Sequence, residues 1–159
     1  MGFATFSGPI RTGTERFGAN RNTGLVQLAQ SFDSGNLTGV AVGNVDVQAF
    51  RLPQGSQIVD ITVDQVVAAT AGTTTVSVGT TSGGAELMAA VATTAGGRFR
   101  GTSTAATQLA WQTSTTADTT VFIRNAVGTA TLTAGRFIVT VIYVQRAPDG
   151  SQTPTTSQN

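Results

Sequence analysis

An all-β fold, an antiparallel β-sandwich with jelly-roll topology built from seven to eight strands and one short helix, is predicted by three features of the sequence. Threonine and glycine together make up 48 of 159 residues: the branched Cβ of Thr restricts χ1 and favours extended backbone, while Gly supplies turns. Short apolar stretches recur at intervals with turn residues between nearly all of them. Only one segment, 85–92, stands out as a helical candidate, and it is one or two turns long.

The strand signals fall at 24–30, 40–50, 57–67, 73–79, 98–102, 119–124 and 135–145. Between the second and third, the run RLPQGSQ contains Pro53 and Gly55. Pro fixes φ and Gly accepts a positive φ there, so a hairpin or a corner is expected. In 57–67, alternation places Val59, Ile61, Val63 and Val67 on one face and Asp60, Thr62 and Asp64 on the other, the signature of a half-buried strand. The last strand is apolar on both faces: Phe137, Val139, Val141 and Tyr143 alternate with Ile138, Ile142 and Val144. Such a strand runs centrally or is covered by a neighbouring subunit. A buried helix has the same double-sided pattern, but the β-branched residues and Gly135 favour a strand. One helix is expected at 85–92, where Glu86, Leu87, Met88 and several Ala follow the Ser82-Gly83-Gly84 turn.

The length suits one domain. Val, Ile, Leu and Phe number 38, about 24% of the chain, which is enough for a core but a thin one. Much of the remaining apolar content is Ala, which gains little on burial beside the roughly 1.5–3 kcal/mol of a Val, Leu or Phe. Partner chains are therefore expected to supply part of the burial. The domain is expected to span 24–146, preceded by an extended arm at 1–23 and followed by a polar tail at 147–159. The arm sets Phe3, Phe6, Ile10 and Phe17 among Arg11, Arg16 and Arg21. Spaced anchors of this kind suit a neighbour's pockets, although a disordered terminus has a similar composition.

Composition also limits the chemistry. The chain contains no His, Cys or Lys. The commonest general base, the thiolate nucleophile, the Schiff-base amine and the best transition-metal ligands are thus missing together. No catalytic residue, cofactor or small-molecule substrate is expected. Asp60 and Asp64 stand four apart, roughly 13 Å along a strand, farther than the roughly 5–9.5 Å of glycosidase carboxylate pairs. Together with Asp46 they would suit Ca²⁺ only if the fold brought them together. The plainer reading is solvent exposure or cross-strand pairing with Arg51 or Arg124, and no metal site is expected. The Gly-rich runs GTTSGG and TTAGGRFRG lack the context of a nucleotide cradle and read as turns. Trp111 is the lone indole; it suits partly buried core or a sugar-stacking platform.

The formal charge is +1, and all nine cations are Arg. Such a balance gives no strong field for nucleic acid. Arg forks suit permanent protein interfaces, although codon bias would produce the same absence of Lys. No basic n-region precedes an apolar run at the start, and no stretch of 18 apolar residues occurs, so neither export nor a membrane partner is expected.

The segment LPQGSQIVDITVDQVVAATAGTTTVSVGTTSGGAELMAAV resembles tailed-phage capsid decoration, or cement, proteins. In these an LPxG turn leads into an IVDIxVD strand, a Thr-rich strand carrying VGT and a brief helix; the closing AGRFIVTVIYVQ fits the same pattern. The likeness covers about residues 24–146. It implies a virion structural protein made in the host cytoplasm that sits on the outer surface of the capsid. It also implies the major capsid protein as partner and a β-sandwich or jelly roll clustered as a homotrimer. The resemblance does not identify contact residues; the arm residues Phe3, Phe6, Ile10, Arg11, Arg16, Phe17 and Arg21 are assigned that role from their spacing. A carbohydrate- or receptor-binding module of a head fibre or tail is the alternative.

Overall fold

The computed structural model describes residues 27–70, 74–100, 105–112 and 117–145. Eight strands and one helix follow in the order β1 (Gln27–Asp33), β2 (Gly43–Leu52), β3 (Ser56–Thr70), β4 (Thr74–Gly79), β5 (Met88–Ala92), β6 (Gly97–Arg100), α1 (Ala105–Gln112), β7 (Thr119–Val127) and β8 (Ala134–Gln145). They form two four-stranded sheets, ordered β1-β8-β3-β6 and β2-β7-β4-β5, and every neighbouring pair is antiparallel. The nested pairing of β1 with β8, β2 with β7, β3 with β6 and β4 with β5 is what rolling up one long antiparallel hairpin produces. It is consistent with the expected jelly roll.

The inner faces of the two sheets share one core. Ile61 and Val63 of β3, Val76 and Val78 of β4, Val121 and Ile123 of β7, and Phe137, Val139 and Val141 of β8 are all buried. These are the central strands, with Phe32 of β1 and Phe99 of β6 packed against the cluster from the edges. β-Branched side chains fill the space because they sit well on a pleated surface in a preferred rotamer. As its double-sided pattern requires, β8 runs centrally between β1 and β3.

β3 departs from simple alternation. Its register against β8 slips between Ile58 and Asp60, between Gln65 and Val67, and between Val67 and Thr70. Each extra residue shifts the phase of the side chains. Ile58 therefore takes the inward position, while Val59 and Val67, expected on the same face as Ile61 and Val63, stay exposed.

The helix expected at 85–92 is not formed. Met88–Ala92 is strand β5, and Met88 is fully buried opposite Val78. Helix propensity of a few tenths of a kcal/mol per residue is outweighed when a strand can complete a sheet and bury a methionine. Gly83 prepares the turn into β5: its φ is +83°, and an added Cβ would collide with the Arg124 guanidinium. The short helix lies instead at Ala105–Gln112, within the long β6–β7 connection.

The Pro53–Ser56 turn is a corner between the sheets rather than a hairpin, since β2 and β3 belong to different sheets. Ser56 N donates to Pro53 O at 3.1 Å and Gly55 has φ +79°, the positive angle that a type II turn needs at its third residue. Four connections, β1–β2, β3–β4, β5–β6 and β7–β8, gather at one end of the sandwich. The opposite end holds the β2–β3 corner, the β4–β5 turn and α1. It is also where the described chain enters and leaves, with Gln27 paired to Val144.

Candidate interaction surface

The residues assigned to capsid contact, Phe3, Phe6, Ile10, Arg11, Arg16, Phe17 and Arg21, lie outside the described residues, as do the whole arm, 1–23, and the whole polar tail, 147–159. The fold does fix where those segments attach. The described chain begins at Gln27 of β1 and ends at Gln145 of β8, on neighbouring strands and at the α1 end of the sandwich.

Charge on the described body is fully engaged. Among the described residues every arginine pairs with an aspartate. Arg124 grips Asp46 with two bonds, Nε–Oδ1 2.7 Å and Nη2–Oδ2 2.8 Å, and Ser82 Oγ donates to Asp46 Oδ2 at 2.7 Å. Arg136 holds Asp33 in the same forked way at 3.1 and 2.6 Å, with Gly35 N donating to Oδ1 at 2.9 Å. Arg98 meets Asp64, Arg100 meets Asp60 at 3.2 Å and Arg51 meets Asp118 at 3.4 Å. The strand register explains the pattern: Asp46 lies opposite Arg124, and Asp64 opposite Arg98, while Asp60 and Asp33 reach a residue two places along. The Arg136 fork, reinforced by the Gly35 amide, holds the Asp33 carboxyl down at about 2. The Arg124 fork and the Ser82 hydroxyl do the same for Asp46, also about 2.

Cross-strand pairing is thus what these acids do, with some partners other than those expected: Arg124 takes Asp46, while Asp60 and Asp64 take Arg100 and Arg98. The three aspartates weighed as a calcium cluster do not converge. Asp46 faces outward from the β2-β7-β4-β5 sheet, whereas Asp60 and Asp64 face outward from the other. Among the described residues no group of three or more acidic ligands could hold a metal ion.

Trp111 sits in α1, half-buried against the core, and its indole N–H donates to Leu87 O at 2.7 Å. It borders a cavity of about 40 Å³ at this end of the sandwich, shared with Leu52, Ser56, Ile58, Leu87 and Ala110 among others. Space of that size fits about one water, not a sugar ring. With its polar edge bonded to the backbone, Trp111 closes the mouth between the sheets.

The outer face of the β1-β8-β3-β6 sheet mixes aliphatic with polar groups, and Ser31, Thr140 and Thr62 stand in one row across its middle. Its central strand turns Ile138 and Ile142 outward, both half-buried. Beside them lie Ala29 of β1 and Val59 and Val67 of β3, with Val59 and Val67 42% and 44% exposed. The Asp33–Arg136, Asp64–Arg98 and Asp60–Arg100 pairs stand among these aliphatic groups. Sequence reading missed this face because a period-two pattern shared by both sides of β8 assigns neither side, and because the bulges of β3 are invisible in it. The outward valines Val59 and Val67 became legible only with the register.

The fold is found among solved structures. The chain is similar to one in the capsid of Ralstonia phage GP4, with 23% identity over 77% of this chain and 86% of that one, at a TM-score of 0.58. It is also similar to a chain of the cyanophage Pam1 capsid asymmetric unit, with 22% identity over 90% of this chain and 99% of that one, at a TM-score of 0.51. At these identities the likeness is one of fold. No family model matches the sequence, and no curated protein matches it.

Proposed function

We propose that this chain is a virion structural protein that binds the outer surface of a tailed-phage capsid, stabilises or decorates it, and acts as a homotrimer with the major capsid protein as partner. The observation that carries the reading is the joint one of fold and surface. The sandwich shares its architecture with chains from two phage capsids, and its charged groups are spent on one another rather than gathered around a reactive centre. A residue set without His, Cys or Lys suits adhesion better than catalysis.

In this reading the unit of attachment is the arm, residues 1–23. Of its charges, Arg11, Arg16 and Arg21 exceed Glu15 by two, whereas the described body carries five Arg against five Asp and Glu86. Three of the four remaining arginines therefore stand in sequence among the apolar anchors Phe3, Phe6, Ile10 and Phe17, the fourth being Arg146. Fully extended, 26 residues reach up to about 90 Å, far enough to span from the sandwich to a neighbouring subunit. Burying several large side chains there would contribute a few kcal/mol per copy after the cost of ordering the arm. A protein that straddles capsid subunits raises the free energy of separating them, which matters in a shell under genome pressure.

The test is capsid occupancy. Shells lacking the protein are incubated with the full chain or with a variant lacking residues 1–20, and bound copies are counted after sedimentation. The expected result is saturation by the full chain and at least about tenfold weaker binding by the variant. Equal occupancy would remove the arm from the mechanism, and no binding by the full chain would remove the reading.

A further inference from the structure

We infer that the β4–β5 connection, residues 79–87, is a strap latched onto the outer face of the β2-β7-β4-β5 sheet. It holds Trp111 and α1 over the mouth of the sandwich, so that strap and helix come away together as one unit. The device lies within the fold and does not depend on the attachment proposed above.

The connection is longer than its strands require. Val78 pairs with Met88, and a hairpin between such neighbours usually needs only about 2–5 residues. The surplus folds back over the sheet it leaves. Gly79 faces outward by its register with Phe122, yet it is buried, because the backbone of Gly84 lies directly on it and leaves no room for a Cβ. Two places farther in, Ser77 of β4 stands opposite Arg124, which in turn stands opposite Asp46 of β2. There Ser82 Oγ donates to Asp46 Oδ2 at 2.7 Å, and Gly83 packs against the Arg124 guanidinium. The run GTTSGG, legible in the sequence as a turn, thus reaches across three strands.

The latch is the Arg124–Asp46 fork. With Arg124 holding both carboxylate oxygens, Asp46 presents the Ser82 hydroxyl with a fixed, charged acceptor, which makes the bond stronger than one between neutral groups. The strap is also closed on itself. Thr80 N and Thr80 Oγ1 both donate to Glu86 Oε1 at 2.5 Å, and Gly84 N donates to Thr81 O at 2.9 Å. A connection tied by its own side chains moves as a compact piece, not as a slack tether.

Leu87, next to the Glu86 that closes the strap, carries the link to the helix. Its side chain is buried in the core, its N–H donates to Val78 O at 3.1 Å, and its carbonyl accepts the Trp111 indole N–H at 2.7 Å. Thr80 and Leu87 of the strap and Ala110 and Trp111 of α1 border the same small cavity, so the two elements meet along one seam. The strap's own bonds, Ser82 to Asp46 and Thr80 to Glu86, are exposed. Water competes for them far more readily than for the ladders of the central strands, which places strap and helix at the low-stability end of the fold.

Native-state hydrogen exchange on the full chain tests this, and Trp111, the only tryptophan, gives a single indole N–H signal. Ser82→Ala and Asp46→Asn weaken the latch; Asp33→Asn removes a forked ion pair of the same kind from the other sheet. Both latch variants are expected to speed exchange at the Leu87 amide and at the Trp111 indole by a common factor, about three- to tenfold. Asp33→Asn is expected to leave both unchanged, because its ion pair survives when the strap lifts, and to speed only amides that exchange through global unfolding, such as Val139 and Val141. Trp111→Phe should in turn speed the Gly84 and Leu87 amides, since coupling is reciprocal. Latch variants that free Leu87 without freeing the indole would overturn the inference, because the helix would then be held without the strap. An indole that responds to Asp33→Asn as the central strands do would also overturn it, since Trp111 would be released only when the whole domain unfolds. Unchanged exchange in both latch variants would remove the latch itself.

Discussion

The two sheets of this sandwich are alike on the inside and unlike on the outside. Inward, both present buried Val and Ile from their two central strands, β3 and β8 on one side and β4 and β7 on the other. Outward, the β2-β7-β4-β5 sheet shows amides, hydroxyls and one well-held ion pair around Phe122 and Ala126, whereas its counterpart shows isoleucine and valine among three ion pairs and a row of Ser31, Thr140 and Thr62. Burial inside an isolated chain does not account for that difference, because both outer faces meet solvent there.

The largest effect that tests this contrast compares the two sides of one strand. Ile61, fully buried on the inner side of β3, replaced by Ala should lower stability by about 2–5 kcal/mol, because the lost transfer energy is joined by the cost of a cavity. Val67→Thr, on the outer side of the same strand, should change stability by less than about 0.5 kcal/mol when the chain is dilute enough to be monomeric. Urea unfolding read by fluorescence gives both values. A large loss at Val67 would make the outer face part of the fold rather than a surface for partners.

A smaller effect uses the ion pairs. Asp46 and Asp33 are held at about 2 in the folded chain against an ordinary 3.8. The unfolded chain therefore binds more protons between those values, so the stability these pairs contribute is complete above about pH 3.8 and is lost as pH falls through about 2. Arg124→Ala removes the fork that holds Asp46 down and lets its carboxyl return toward the ordinary value. The variant should be less stable at neutral pH, because the forked bond to Asp46 is lost. Its stability should also fall less steeply between pH 3.8 and 2. Arg136→Ala, on the other sheet, should flatten the same window through Asp33. Urea midpoints across a series from pH 5 to pH 2 would show it; an unchanged acid slope in both variants would mean that the pairs do not set the acid limit.

How far the sequence led can be judged from particular segments. Thr, Gly and short apolar runs were enough for the class of fold, and the two-sided pattern of 135–145 was enough to place β8 in the middle of a sheet. The helix at 85–92 failed for a physical reason. Ala, Leu and Met favour a helix locally by tenths of a kcal/mol each, but β4 offers this segment a ladder and a pocket for Met88, and neither is visible until distant strands are assembled. Val59 and Val67 failed for another, since a single bulge inverts every later side chain and leaves no mark in composition. The arm residues were legible as a pattern of Phe and Arg but lie outside the described residues, so the assignment to capsid contact stays with the proposal. The outer face was hidden, because nothing in a strand that is apolar on both sides says which side a partner covers.

The smallest effect concerns the end of the sandwich rather than its faces, and it separates closure from recognition. Trp111 donates its indole N–H to Leu87 O and packs on the core, so Trp111→Phe keeps most of the apolar contact and removes one hydrogen bond to the backbone. The Leu87 carbonyl then has either water or no partner, and the expected loss is about 0.5–1.5 kcal/mol. If Trp111 only plugs the mouth between β2, β3 and β7, this variant should melt slightly earlier and bind shells as the wild type does, since the proposed shell contacts lie in the arm. Glycan arrays on the same pair of proteins complete the comparison. Binding by the wild type that vanishes in Trp111→Phe would mean that the ring leaves its place against the core to stack on a sugar, and the end of the sandwich would then be the recognition surface.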